Sequence, residues 1–322
     1  MRLGSLEHFA LLGLERGASD LCLCSGLPPL MTILGNLLSS EFERLDAADI
    51  WSLVRRYLTP KDEGAYRECG QVTVAFRVEG RVSGRMHLVS QRAACQAHLR
   101  LHPWTLPHLP NLGLDSRHPW TQGLWVVAGE GRSTLQAALA GHWVAAEGLQ
   151  LRVDQACPEW CWPAREGSGN RLRLMDYLDT PMRLKQALEH LEHGETVLAT
   201  HRSNGSLEVL EAMEHGLSGP RWERLLGHWR GLICQRLVPD VSGRALVGVH
   251  EILLNPEGLA ARLVRDGKQI QLINLMATGW EQGMQLFDQD LAAKVGQGRI
   301  LAEDALEYCD SEAYLKDLLQ RG

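Results

Sequence analysis

Gly123-Leu-Trp-Val-Val-Ala-Gly-Glu-Gly-Arg-Ser-Thr-Leu135 is an apolar run that breaks on two glycines and passes into the helical pattern Leu135-Gln-Ala-Ala-Leu-Ala140. A strand, a glycine turn and a helix opening on Ser-Thr aim backbone N–H groups at an anion, and the helix dipole adds positive potential. The working phosphate-cradling pattern is G-x-x-x-x-G-K-[ST], with lysine on the outer phosphates and the hydroxyl on Mg²⁺. Here Gly131 takes the second glycine position, Arg132 replaces the lysine, Ser133 and Thr134 supply hydroxyls, and Val126 stands where the first glycine belongs. The reading is a shortened loop in which a planar fork replaces a point charge. Gly129, Gly131, Arg132, Ser133 and Thr134 are the candidate nucleotide-binding residues of a degenerate ATP site.

On the C-terminal side, apolar runs at 149–153, 171–175 and 196–200 alternate with helical patterns from Ser133 and from Thr180 to Leu191. That alternation predicts a parallel sheet covered on both faces. From Pro220 the pattern reads as mainly helical apart from a strand at 244–250. On the N-terminal side, Pro103-Trp-Thr-Leu-Pro-His-Leu-Pro-Asn-Leu-Gly-Leu-Asp115 carries three prolines and reads as a linker. Ahead of it come a helix over 5–16 stopped by Gly17, two strands within 18–34, a helix capped by Asp46 with Pro60 past its end, and alternating runs at 71–78, 84–89 and 97–101. The fold class is α/β, with an α+β domain over 1–103, a linker over 104–117 and an α/β domain over 118–322.

With 33 basic and 39 acidic residues the net charge is −6, so the overall field does not favour nucleic acid or an anionic membrane. No window is apolar enough to span a bilayer and the start lacks the features of a signal peptide, which predicts a cytoplasmic protein. The eight cysteines fit reduced thiols rather than a disulfide framework. Cys22 and Cys24 share a strand face, but neither that pair nor Cys157-Pro-Glu-Trp-Cys161 has zinc-site spacing, and no metal site is assigned.

Gly17-Ala-Ser-Asp-Leu-Cys-Leu-Cys-Ser-Gly-Leu-Pro-Pro29, His250-Glu-Ile-Leu-Leu-Asn-Pro256, Leu263-Val-Arg-Asp-Gly-Lys268 and Gly283-Met-Gln-Leu-Phe-Asp288 fall in an order that resembles the PilT-like retraction ATPases of type IV pili, within the GspE-type secretion ATPases. The resemblance covers nearly the whole chain, with Cys22 in place of the family's histidine. It implies a PAS-like N-terminal domain, a RecA-like P-loop-type C-terminal domain, and a ring of six subunits with nucleotide at the interfaces. The centre departs from the family. The acidic box I-E-D-P aligns with Val153-Asp-Gln-Ala156, leaving Asp154; the Walker B run becomes Leu172-Arg-Leu-Met-Asp-Tyr-Leu-Asp179, leaving Asp176; and the histidine box becomes Thr200-His-Arg-Ser203, with His201 one place early. Arg100 matches an arginine that the family turns towards its nucleotide region, and here it reads as that or as an ion-pair residue.

Phosphoryl transfer is mostly positioning and charge stabilisation, so the joint loss of several positioning elements removes most of the rate enhancement. No catalytic residue is assigned, and Asp154, Asp176 and His201 read as vestigial. The first reading is a pseudo-ATPase that acts by homo-oligomer formation or by joining an active pilus motor and inner-membrane base proteins, with no cofactor expected. The alternatives are a motor that hydrolyses ATP with Mg²⁺ through a remodelled loop, and a nucleotide sensor without turnover. The expected location is cytoplasmic, with peripheral association at the inner face of the membrane. Trp120, Trp125, Trp143, Trp160 and Trp162 are expected to fill space that nucleotide and the deleted segments once occupied.

Overall fold

A computed structural model describes residues 4–91, 94–114, 121–153, 160 and 170–321. The chain divides into two compact units, Met1–Leu106 with Pro158–Pro163, and Pro107–Cys157 with Ala164–Gly322.

In the first unit, the Ser5 hydroxyl accepts from the His8 N–H to start α1 (Leu6–Glu15), and Gly17 at φ +75° turns the chain out of it. Then follow β1 (Ala18–Cys24), β2 (Leu30–Ile33), β3 (Asn36–Ser39), α2 (Ala47–Val54), α3 (Pro60–Cys69), β4 (Gln71–Val78), β5 (Val82–Gln91) and β6 (Ala94–Pro103). Asp46 and Asp49 cap α2 reciprocally. Pro60 lies past that helix, as expected, and also opens α3, which the sequence reading did not anticipate. Its fixed φ and missing N–H suit a first helical position, and Thr59 supplies the cap. The sheet runs β3-β2-β1-β6-β5-β4, antiparallel throughout. Leu21, Leu23, Met86, Leu88 and Leu99 project from it onto Phe9, Ile50 and Val54 to form the core.

The second unit contains β7 (Leu124–Gly129), α4 (Arg132–Glu147), β8 (Gln150–Val153), β9 (Arg171–Met175), α5 (Pro181–Glu192), β10 (Thr196–His201), α6 (Ser206–Gly216), α7 (Pro220–His228), β11 (Trp229–Pro239), β12 (Leu246–Leu254), α8 (Leu259–Arg265), α9 (Gln271–Thr278), α10 (Phe287–Gly296), α11 (Ala302–Tyr308) and α12 (Glu312–Arg321). Its strand order is β12-β11-β7-β10-β9-β8, parallel except where β12 pairs with β11. β7 lies between β10 and β11, and all six of its residues are buried, which explains its unbroken apolar run. Thr180 caps α5 with Pro181 at its first position.

One expectation is corrected here. The segment read as mainly helical after Pro220 contains β11, an eleven-residue strand that pairs with both β7 and β12. Its residues are buried on both faces over much of its length, so it shows little of the alternation by which a strand announces itself.

β11 is held close to β7 by Gly231: a Cβ at this position would lie 2.3 Å from the Trp125 ring. Gly231→Ala is therefore expected to destabilise the protein by about 1–3 kcal/mol through overpacking. Urea unfolding checks this, and an unchanged midpoint would show that the Trp125 ring packs elsewhere.

Candidate functional site

The C-terminal ends of β7, β9, β10 and β11 meet where the sheet's connections diverge to either side of β7, the place where open parallel sheets bind ligands. The turn from β7 into α4 is only Gly129-Glu130-Gly131. Gly129 at φ +84° and Gly131 at φ +61° adopt the left-handed conformation that a turn this tight demands. The turn does not arc away from the sheet. The Gly129 N–H donates to the Ser203 carbonyl at 2.9 Å, and the Glu130 N–H donates to the Gln235 carbonyl at 2.8 Å, continuing the β7–β11 ladder. The Gln235 side chain returns a bond from Nε2 to the Glu130 carbonyl at 2.8 Å, and the Glu130 carboxylate accepts from the Leu237 N–H at 2.8 Å. A Cβ at residue 129 would lie 2.1 Å from the Gln235 carbonyl oxygen.

A phosphate cradle needs successive N–H groups that converge on empty space. Two of those in this turn already donate within the protein. Glu130 adds a carboxylate within the turn, held on the Leu237 N–H and opposite in effect to the positive end of α4.

The sequence-predicted residues distribute as follows. Arg132 opens α4, and its Nη1 donates to the Gly129 carbonyl at 2.8 Å, closing the turn on itself. Ser133 and Thr134 are half-buried in the first turn of α4. Asp176 follows β9 and is half-buried. His201 ends β10 and is buried. Asp154 lies outside the described residues, as do Trp120, Trp162, Cys157 and Cys161. Arg100 is on β6 of the first unit, where its Nη1 donates to Asp20 at 3.1 and 3.3 Å; Asp20 is buried and also 3.4 Å from His98. Burial first, then the neighbouring Cys24 and Asp20, pushes the Cys22 thiol up to about 11, which keeps it protonated.

Two residues absent from the sequence-based site complete it. Tyr177 has φ +42°, an uncommon conformation for an aromatic residue, fixed by bonds from its own N–H to Thr200 Oγ1 at 2.9 Å and from the Leu178 N–H to the Thr200 carbonyl at 2.8 Å. Its ring lies 4.4 Å from the Arg202 guanidinium carbon and 5.3 Å from that of Arg132, within cation–π range of both. Arg202 also pairs with Asp179 at 3.2 Å. The second residue is Gln235, whose role depends on the β7–β11 register.

Three of the five tryptophans expected to fill this place are among the described residues. Trp125 and Trp143 pack on each other, centroids 5.3 Å apart, and Trp160 lies 4.4 Å from His102 in the first unit. The groups that contact the turn and its arginine are Gln235, Leu237, Ser203 and Tyr177.

His201 Nδ1 accepts from the Ser203 N–H at 3.1 Å, so the proton of the neutral ring sits on Nε2, which has no hydrogen-bond partner among the described residues. Burial lowers the His201 pKa, the Arg132 charge adds to this, and Asp179 and Glu208 oppose it. The folded protein thus favours neutral His201. Its contribution to stability is complete above the unfolded value of about 6.5 and is lost as pH falls from there towards the lower folded value. Stability is expected to drop as pH falls below about 6.5, less steeply in His201→Asn. An unaltered slope in that variant would contradict the assignment.

Gln235→Leu leaves the Glu130 carbonyl without its side-chain donor and is expected to cost about 1–3 kcal/mol. Urea unfolding reads the loss, and a stability equal to the parent chain would show that the turn does not depend on Gln235.

The sheet order and the strand–turn–helix at β7 define a RecA-like α/β fold, preceded by an additional N-terminal domain. No family model matches the chain. It is 27% identical over 98% of its length, and 91% of the relative's, to the type IV pilus ATPase PilU of Pseudomonas aeruginosa. It is also 27% identical over 92% of its length, and all of the relative's, to the uncharacterized protein YggR of Escherichia coli K12. The crystal structure of the pilus retraction motor PilT with bound ADP superposes with a TM-score of 0.76 at 24% identity, covering 98% of this chain and 99% of that one. The ATPase DotB of Legionella pneumophila gives a TM-score of 0.69 at 19% identity, over 95% and 96% of the two chains. Over nearly its whole length the chain is thus similar to PilT-like type IV pilus ATPases. Among the described residues no helix is long and apolar enough to cross a membrane.

Proposed function

We propose that this chain is a non-catalytic member of its family, which keeps the motor fold and acts by assembling with an active pilus motor or with pilus-base proteins. The observation that carries this reading is the Gly129-Glu130-Gly131 turn, whose first two N–H groups donate to Ser203 and Gln235 in place of a phosphate. Three further features support it. Arg132 bends back onto the turn it follows; Glu130 adds a negative charge to the turn itself; and the Tyr177 ring stacks beside Arg132 and Arg202. Each removes positioning or charge stabilisation on which phosphoryl transfer relies. Support for assembly into a ring with copies of itself or with a motor paralogue comes from the likeness to relatives named as pilus ATPases.

A second reading is a sensor that holds a nucleotide's phosphates without turnover. Two buried donors favour it, Arg132 Nε and His201 Nε2, neither of which has a partner among the described residues. An anion at the start of α4 would satisfy groups of this kind.

Fluorescent ATP with Mg²⁺, titrated to about millimolar concentration, separates the readings, since that range corresponds to binding of only ~4 kcal/mol. The first expects no saturable binding and no phosphate release above buffer, in the parent chain and in Arg132→Lys alike. Saturable binding without release, lost in Arg132→Ala, establishes the sensor. Release at a motor's ordinary pace, on the order of 1 s⁻¹ or faster, overturns both.

A further inference from the structure

The second unit contains a cavity of 680 Å³ bounded by the start of α6, by α9 and α10, and by the approach to α12. This is within the ~300–1,000 Å³ typical of sites for small organic molecules. Its apolar lining comes from Ile273, Met276, Ala277, Leu286 and Phe287. The charges around it are unequal: Glu208, Glu251, Asp288 and Asp310 face one guanidinium, that of Arg236.

Arg236 is already committed. Its Nη2 donates to Asp310 at 2.7 Å, its Nη1 donates to the Tyr308 carbonyl at 2.9 Å, and its guanidinium carbon lies 3.9 Å from the Phe287 ring centre. The other carboxylates are held by backbone N–H groups. Glu251 accepts from Ser206 at 2.7 Å, Asp288 accepts from Asp310 and Ser311 at 2.8 and 2.9 Å, and Glu208 accepts from Asn204 at 3.2 Å. Glu251 is 8% exposed and Asp288 only 3%. Hydrogen bonds fix the place of these groups without supplying a whole opposite charge, and burial pushes both Glu251 and Asp288 above the usual carboxylate range. Buried acids with perturbed protonation beside an apolar cavity are the ordinary marks of a ligand site.

We propose that this cavity binds a small organic cation, an ammonium or guanidinium group on an apolar body, with the charge at Glu251 and the body against Ile273, Met276 and Phe287. A cation there would favour the ionised form of Glu251, which burial opposes, and so complete the charge balance that Arg236 leaves unfinished. An anion of the same shape would be repelled, and a neutral isostere would retain only the apolar part of the interaction. The site is separate from the β7–α4 turn, and its occupancy does not depend on whether nucleotide binds.

The test uses the full chain and three probes of matched shape: phenethylammonium, 2-phenylethanol and 3-phenylpropionate, followed by calorimetry and ligand-observed NMR near neutral pH. The ammonium is expected to bind saturably, the alcohol roughly ten- to a hundredfold more weakly, as loss of a charged hydrogen bond entails, and the carboxylate not at all. Glu251→Gln is expected to reduce the ammonium to the affinity of the alcohol, and Ala277→Trp, which fills the cavity from α9, to remove both. Circular dichroism establishes that each variant is folded; if one is not, the other and the order of the three probes decide. The proposal is overturned if the ammonium does not bind, if the alcohol or the carboxylate binds as well as the ammonium, or if ammonium binding survives either folded variant unchanged.

Discussion

The Glu130 peptide is a rung of the sheet: its N–H and its carbonyl both bond to Gln235, one to the backbone and one to the side chain. Gln235 is in turn held from behind. Because its Nε2 donates to Glu130, its Oε1 must accept, and the donor is His250 Nε2 at 2.9 Å. His250 Nδ1 then lies 3.6 Å from Asp290, which accepts the His250 N–H at 2.8 Å and contacts Lys294. Burial works against both charges of that pair, raising Asp290 and lowering Lys294; on Asp290 the His250 bond and the Lys294 charge outweigh it and hold the carboxyl below its usual range. The result is a buried polar chain from α10 to the turn, in which loss of one member leaves another unpaired in a low-dielectric interior.

On the proposed reading, this polar chain lets a motor-type fold persist while its nucleotide site closes. The fold rests on burial spread over many residues, among them the whole of β7, Leu232 and Ile233 of β11, and Leu139 and Trp143 of α4. A phosphate cradle rests on the directions of a few N–H groups. A turn this short directs two of those groups into the sheet without drawing on the core, so the hydrophobic terms that stabilise the domain do not oppose it. Tyr177 packs beside Arg132 from the β9 side, in a conformation that costs backbone energy and is held by two bonds to Thr200.

Much of this was legible in the sequence, for reasons that differ by element. The short turn followed from counting residues between Gly123 and Arg132, the N-terminus of α5 from Thr180-Pro181, and that of α2 from Asp46. The motifs spread from Gly17 to Asp288 carried the family. β11 was not legible, because a strand buried on both faces does not alternate, and with it went the role of Gln235, a contact across 105 positions of sequence. Tyr177 was hidden for a different reason: nothing in Met175-Asp-Tyr-Leu178 signals a positive φ, which arises from the hook onto Thr200. The bulk of the tryptophans suggested a filler, whereas the contacts described at the turn itself are short polar bonds.

The claim that the turn is a closed rung of the sheet is tested most directly by amide hydrogen exchange at Gly129 and Glu130, with and without millimolar Mg²⁺-ATP. The account expects slow exchange at both positions, comparable to the interior of β7 and unchanged by nucleotide. Rapid exchange in the free protein, or protection that appears only when nucleotide is added, would contradict it.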